Sequence, residues 1–178
     1  TSDHPRDDAI EQCAEQSGVT VFRGSENDVL GRVHAASRPF DPDVIVRICG
    51  DCPLIDPALV DTVIDGVADE TVDYASNTVE RTFPDGLVAE AFTDESFGDV
   101  VITAEDDDYR EHVTVFYHDH AERFSLRNIT SQDVYSEPFM QNRTDLRFAL
   151  DVAADYDILR RVYDLSASLG IRDGVLDV

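Results

Sequence analysis

Val44-Ile45-Val46-Arg47-Ile48-Cys49-Gly50-Asp51-Cys52-Pro53-Leu54-Ile55-Asp56-Pro57 is the stretch that decides the fold. Residues 44–48 are apolar except for Arg47, the pattern of a central strand buried on both faces. A tight Gly50-Asp51 turn follows. Asp56 then supplies a helix N-cap and Pro57 a first helical position. Strand, turn and helix in that order are the start of a βαβ unit, and ligands of open α/β sheets bind beyond such carboxyl ends of strands. Asp51 projects its carboxylate there, Gly50 allows close backbone approach, and Pro53 stops the turn from continuing as helix.

Working outward, short apolar runs keep alternating with helical stripes over residues 1–178, which are read as a single domain. Ile10, Cys13, Ala14 and Ser17 mark one helix face, and Gly18 ends it before a strand at 19–22. A second helix starts at Ser25, where Ser25 and Asp28 resemble a capping box; its stripe is Val29, Leu30, Val33 and Ala36. Leu59, Val60, Val63, Ile64 and Val67 line the helix that starts at Asp56, and a strand follows at 72–75. Residues 76–86, with Asn77 and Pro84-Asp85-Gly86, read as a loop. A strand at 87–92, helices at 94–103 and 108–117, a strand around Phe124 and Leu126, and a last strand at 146–150 complete the pattern. Ile158, Val162, Leu165 and Leu169 then give a final helix.

Composition limits the partners. The chain has 14 arginines, no lysine, 27 aspartates and 11 glutamates, for a net charge of −24. This excludes a basic nucleic-acid face and argues against attachment to an anionic membrane. Excess aspartate without lysine is the composition of a halophilic protein, whose self-repulsion is screened at high ionic strength. No apolar run reaches about 18 residues, so a membrane span is not expected, and a cytoplasmic location is. Three cysteines are too few for a secreted disulfide framework.

The chemistry implied at Asp51 is cation binding. Mg²⁺ takes one or two carboxylates together with phosphate oxygens. Asp151, at the end of the 146–150 run, occupies the same strand-end position as Asp51, although base rates favour an N-cap role for it.

A series of motifs carries a resemblance. Gly24-Ser25-Glu26-Asn27-Asp28-Val29-Leu30-Gly31-Arg32, Arg47 through Asp56, Ser76-Asn77-Thr78 with Phe83-Pro84-Asp85-Gly86-Leu87, and Arg110-Glu111-His112-Val113-Thr114 occur in this order. Together they resemble the spore-coat polysaccharide biosynthesis cytidylyltransferase family, which is similar to the acylneuraminate and Kdo cytidylyltransferases. The resemblance implies a Rossmann-like, glycosyltransferase-A-type nucleotidyltransferase fold with a mostly parallel mixed sheet. It also implies transfer of CMP from CTP to a sugar acceptor, with Mg²⁺ on Asp51 and Asp151. Arg32, Gly50 and Asp51 would then contact the nucleotide, and Asn77, Asp85, Arg110 and His112 the substrates. Related enzymes often form homodimers.

Departures from the family pattern accompany the matches. The family opens with a strand and a phosphate loop of the type Ala-Arg-x-x-Ser-x-Arg-Leu-Pro-x-Lys, which has no counterpart here. About 50 residues of the family's length are therefore expected to precede Thr1. Val88, Gly31 and Val152-Ala153 stand where the family has Asp, Asp and Thr-Pro. Two other readings stay open: a catalytically silent sugar- or nucleotide-binding remnant, and a thioredoxin-like redox protein built on Cys49-x-x-Cys52.

Overall fold

The computed structural model describes residues 1–68 and 71–169. Its strands are β1 (Val44–Ile48), β2 (Tyr74–Ser76), β3 (Ala89–Thr93) and β4 (Leu126–Asn128), hydrogen-bonded in the order β1-β3-β2-β4. β4 runs parallel to β2, with Tyr74 opposite Leu126 and Ser76 opposite Asn128. Helices intervene between strands, so the chain is α/β with a mixed sheet, as the alternation predicts. Two compact units are formed, Thr1–Ile45 with Phe92–Ser125 and Val46–Ala91 with Leu126–Val178; the division falls inside β1 and β3.

In the first unit, α1 (Asp8–Gln16) ends at Gly18, whose φ of 71° is the left-handed stop its position predicts. The rest of that reading differs. α1 buries no residue, and residues 19–22 form no strand. Nearby backbone pairing is limited to a bridge between Ser2 and Gly24, and Val19 and Phe22 stay exposed. An apolar run becomes a strand only where a partner completes its ladder.

α2 (Val29–Ser37) starts after the expected Ser25. Asp28 is the N-cap, accepting the Gly31 N–H at 2.9 Å, while the Ser25 hydroxyl only closes a turn with the Asp28 N–H. α4 (Asp94–Thr103) has the expected limits and is capped by Thr93. The single helix expected at 108–117 is two, α5 (Asp107–His112) and α6 (Val115–Asp119). They are separated at Val113, which has φ 56° and ψ −61°, with the Thr114 N–H donating to the His112 carbonyl at 2.6 Å. This is a γ-turn, and it is strained at a β-branched residue. Complete burial of the Val113 side chain holds it there, beside a core of Leu30, Phe92, Phe97, Val100 and Tyr117.

In the second unit, α3 (Pro57–Val67) starts as the sequence dictates, with Asp56 accepting the Ala58 N–H at 2.9 Å. Leu59, Val63 and Val67 are buried, and Gly66 rather than Ile64 completes the inner face. A Cβ at Gly66 would stand 3.0 Å from that of Ala75, so its absence lets α3 lie close on β2. β1 is an edge strand of the described sheet, not a central one, and Val46 and Ile48 are exposed. Residues 146–150 form no regular strand. They make one bridge, Asp85 to Arg147, and a hydrogen bond from the Leu150 N–H to the Asp51 carbonyl at 2.9 Å. A short α7 (Ser131–Val134) precedes α8 (Ala153–Ser168), which buries Leu159 while the expected core stripe of Ile158, Leu165 and Leu169 faces solvent. Among the described residues no helix is long and apolar enough to cross a membrane.

Candidate functional site

The residues singled out from sequence fall into two groups, one in each unit. In the second unit, Asp51 follows β1 at the end of the Cys49-Gly50 turn, exposed, and a Cβ added to Gly50 would meet nothing within 4 Å. The Asp51 carboxylate accepts from the Cys52 thiol at 3.5 Å. Its backbone carbonyl is bonded to the Leu150 N–H, so Asp51 and Asp151 lie on neighbouring backbones. Asp51 follows a strand as expected, whereas Asp151 follows residues that form no regular strand.

Asp151 is not alone. The Arg147 guanidinium binds its carboxylate, donates to Asp155 at 2.8 Å and lies 3.3 Å from Asp85. Asp155 in turn accepts the N–H groups of Asp151 and Val152, both at 2.9 Å, and so caps α8. Those backbone hydrogen bonds, followed by Arg147, hold the Asp155 carboxyl below its usual range. Arg147 and Asp155 were not singled out from sequence. Local spacing carries no signal for this cluster, because α8 begins only at Ala153 and Arg147 lies on extended backbone before it.

Asn77 is buried, and its amide is used by the protein itself. Nδ2 donates to the Leu87 carbonyl at 2.6 Å, and Oδ1 accepts the Ala89 N–H at 3.0 Å. It thereby closes loop 77–89 and presents Asp85. A small pocket of about 10 Å³, water-sized, is lined by Asn77, Thr78, Arg81 and Asp85 together with buried Phe83 and Leu87. Behind Asp51, Arg47 forms an ion pair with Glu90, and Glu90 also accepts from the Tyr74 hydroxyl at 2.7 Å. The row crosses three adjacent strands and fixes the end of β1 from which Asp51 projects.

In the first unit, Arg110 of α5 donates to Asp28 at 2.6 Å and to the Val101 carbonyl at 3.1 Å. That hydrogen bond, with the Gly31 amide a smaller contributor, holds the Asp28 carboxyl below its usual range. Arg110 and Asp28 form part of the wall of an open cleft of about 500 Å³. Arg32 donates to the Ser25 carbonyl at 2.6 Å, folding over the turn before α2. His112 is exposed at the end of α5, beside the Val113 γ-turn.

The thiols answer the redox reading. Burial pushes Cys52 up to about 12 and raises Cys49 as well, the reverse of the acidic thiol a thioredoxin-like motif needs. No group of three or more His, Cys, Asp or Glu able to hold a metal occurs among the described residues. A pair of carboxylates that leaves most of the coordination sphere to substrate and water is the donor set that suits Mg²⁺. Asp51 and Asp151 fit that description, with Arg147 already on one oxygen of Asp151.

Residues 1–169 match the family model described as cytidylyltransferase. The chain is 31% identical over 176 residues to the spore coat polysaccharide biosynthesis protein SpsF of Bacillus subtilis (strain 168), covering 94% of this chain and 70% of that protein. It is 33% identical over 163 residues to the uncharacterized protein MJ1063 of Methanocaldococcus jannaschii, covering 89% and 63%. Among solved structures, a cytidylyltransferase from Leptospira borgpetersenii serovar Hardjo-bovis (strain JB197) superimposes with a TM-score of 0.79 at 30% identity, covering 90% of this chain and 65% of that one. The chain thus spans about two thirds of the length of these relatives.

Proposed function

This chain belongs to the cytidylyltransferase family, and on that premise we propose that it transfers CMP from CTP to a sugar acceptor, releasing pyrophosphate, in the synthesis of a surface polysaccharide. The reaction draws on the CTP pool, so a cytoplasmic location is part of the proposal. The observation that supports it is the hydrogen bond from the Leu150 N–H to the Asp51 carbonyl, which sets residues 51 and 151 on neighbouring backbones. Asp51 and Asp151 would hold Mg²⁺, which when bound neutralises charge on the triphosphate.

The protein's own part is mostly positioning. A sugar hydroxyl attacks the α-phosphorus in line and pyrophosphate leaves, so no side-chain nucleophile is required. Asn77 shapes the loop that offers Asp85 to the acceptor, and Arg147 ties that loop to Asp151. Gly50, where an added side chain would meet nothing, leaves room for the nucleotide beside Asp51.

Pyrophosphate release from CTP in the presence of Mg²⁺ and a panel of acidic sugars tests the reading. The expected result is sugar-dependent release that falls at least about 100-fold in Asp51→Asn, since metal ligands and charge-stabilising groups carry roughly that much. Release that is indifferent to Asp51 overturns the assignment.

A further inference from the structure

Arg81 was not singled out from sequence, yet it stands in the wall of the small pocket with Asn77 and Asp85. The backbone on either side of it is clamped. Glu80 is bonded at both ends, its N–H donating to Asn128 Oδ1 at 2.9 Å and its carbonyl accepting from Asn128 Nδ2 at 3.3 Å. Thr82 on the other side accepts the Ser131 N–H at 2.8 Å. Buried Phe83 follows. The loop is thus fixed at the two residues that flank an exposed arginine.

In the second unit Arg47 is on Glu90, Arg143 on Asp145, and Arg147 on Asp85, Asp151 and Asp155. The Arg81 side chain, like those of Arg127, Arg160 and Arg161, makes no hydrogen bond or ion pair with any described residue. Of these four it is Arg81 that stands in the pocket wall with Asn77 and Asp85, and Asp85 is itself engaged by Arg147. In a chain of net charge −24 the long-range field repels every anionic substrate. A cation on a pre-set loop is what offsets that repulsion locally, and the planar guanidinium fork matches carboxylate and phosphate oxygens.

We propose that Arg81 is an oxyanion-binding residue at the rim of this water-sized pocket, its exposed guanidinium receiving from solvent either the carboxylate of an acidic sugar acceptor or a phosphate of the nucleotide. The proposal rests on the nucleotidyltransferase reading and adds a residue and a ligand charge to it.

The test is direct binding at fixed ionic strength, by titration calorimetry, to wild type, Arg81→Gln and Arg81→Lys. The probes are CTP, inorganic pyrophosphate and N-acetylneuraminate, with neutral N-acetylmannosamine as control. Arg81→Gln is expected to lose about tenfold or more in affinity for an anionic probe, the worth of one charge-assisted hydrogen-bonded pair, while Arg81→Lys recovers part of it. Melting temperature and circular dichroism stay at wild-type values, because no described group loses a partner. Loss confined to N-acetylneuraminate assigns the acceptor carboxylate, and loss confined to CTP and pyrophosphate assigns the nucleotide. Undiminished anion binding by Arg81→Gln overturns this proposal and leaves the transferase reading standing. A wild-type chain that binds none of the anions overturns both.

Discussion

Asp85 and Arg147 are joined twice. Their backbones pair as an isolated parallel bridge, with the Phe148 N–H donating to the Asp85 carbonyl at 2.6 Å, and their side chains meet at 3.3 Å. The same guanidinium reaches Asp151 and Asp155. The loop that carries Asp85, the Asp151 carboxylate and Asp155, whose side chain closes the first turn of α8, are therefore held by one guanidinium. Partly exposed ion pairs are individually weak, so the value of this hub lies in geometry more than in stability.

Gly86 is what allows that bridge. Its φ is 88°, and a Cβ there would overlap the Ala149 nitrogen and the Phe148 carbonyl carbon. Gly86→Ala must therefore move backbone, and a loss of about 2 kcal/mol or more is expected, from left-handed strain and overlap together. Gly50→Ala, where the added Cβ meets nothing, should stay within about 0.5 kcal/mol of wild type. Urea unfolding of both variants checks the contrast, and equal stabilities would contradict the close approach at Gly86.

The pair of Arg47 and Glu90 gives a second expectation. Glu90 is 3% exposed, so removing Arg47 takes the guanidinium away from a buried carboxylate that also accepts from the Tyr74 hydroxyl. Arg47→Met should cost about 3 kcal/mol, the lower end for breaking a buried pair because Arg47 keeps some contact with water. The double variant Arg47→Met/Glu90→Leu should recover much of that loss. A double-mutant cycle in urea reads both, and strict additivity would show that the two groups act independently.

Much of this organisation was legible in the sequence, and the reasons differ by element. Asp56-Pro57 and Thr93 set the starts of α3 and α4 because caps are local chemistry. Gly18 ended α1 for the same reason. Residues 19–22 and 146–150 look like strands by composition, but a ladder depends on a partner that no local pattern encodes. Val113 broke a helix whose periodicity continues through it, since the γ-turn is imposed by burial of its side chain. Around the candidate site, the place of Asp51 beyond the end of β1 was readable from the apolar run and the Gly-Asp turn. The pairing of Arg147 was not, because charge counting cannot tell a paired arginine from an unpaired one.

The three thiols should separate by accessibility. Cys13 is exposed, whereas Cys52 is buried with its thiol pushed up to about 12. In native protein near neutral pH a disulfide reagent should label Cys13 rapidly and Cys52 only after unfolding. Mass spectrometry of the labelled peptides identifies the sites. Fast labelling of Cys52 in the native state would contradict its burial.

Asp28 and Arg110 make stability depend on pH in one direction. The Asp28 carboxyl is held below its ordinary value of 3.8, chiefly by Arg110. A depressed carboxyl pKa contributes stability that is present above the ordinary value and lost as pH falls through the folded-state value. Wild type should therefore lose more stability than Arg110→Met between about pH 5 and pH 2. Urea midpoints measured across that range decide it. Parallel curves would mean that the ion pair contributes nothing to folding.

The acidity of the whole chain sets the last expectation. A net charge of −24 on 178 residues repels itself over a Debye length of about 10 Å in 0.1 M salt, and that length falls to about 3 Å at 1 M. With no lysine and most of the described arginines already paired, little internal countercharge remains to offset the repulsion. Melting temperature should therefore rise steeply with KCl at low concentration and continue rising above about 1 M, where screening is nearly complete and excess carboxylates bind hydrated cations. Replacing KCl with an isosmotic neutral solute removes the electrostatic part and should remove most of the rise. A melting temperature that is flat in KCl would mean that the charge is too evenly solvated to act on folding, and the composition would then carry no halophilic meaning.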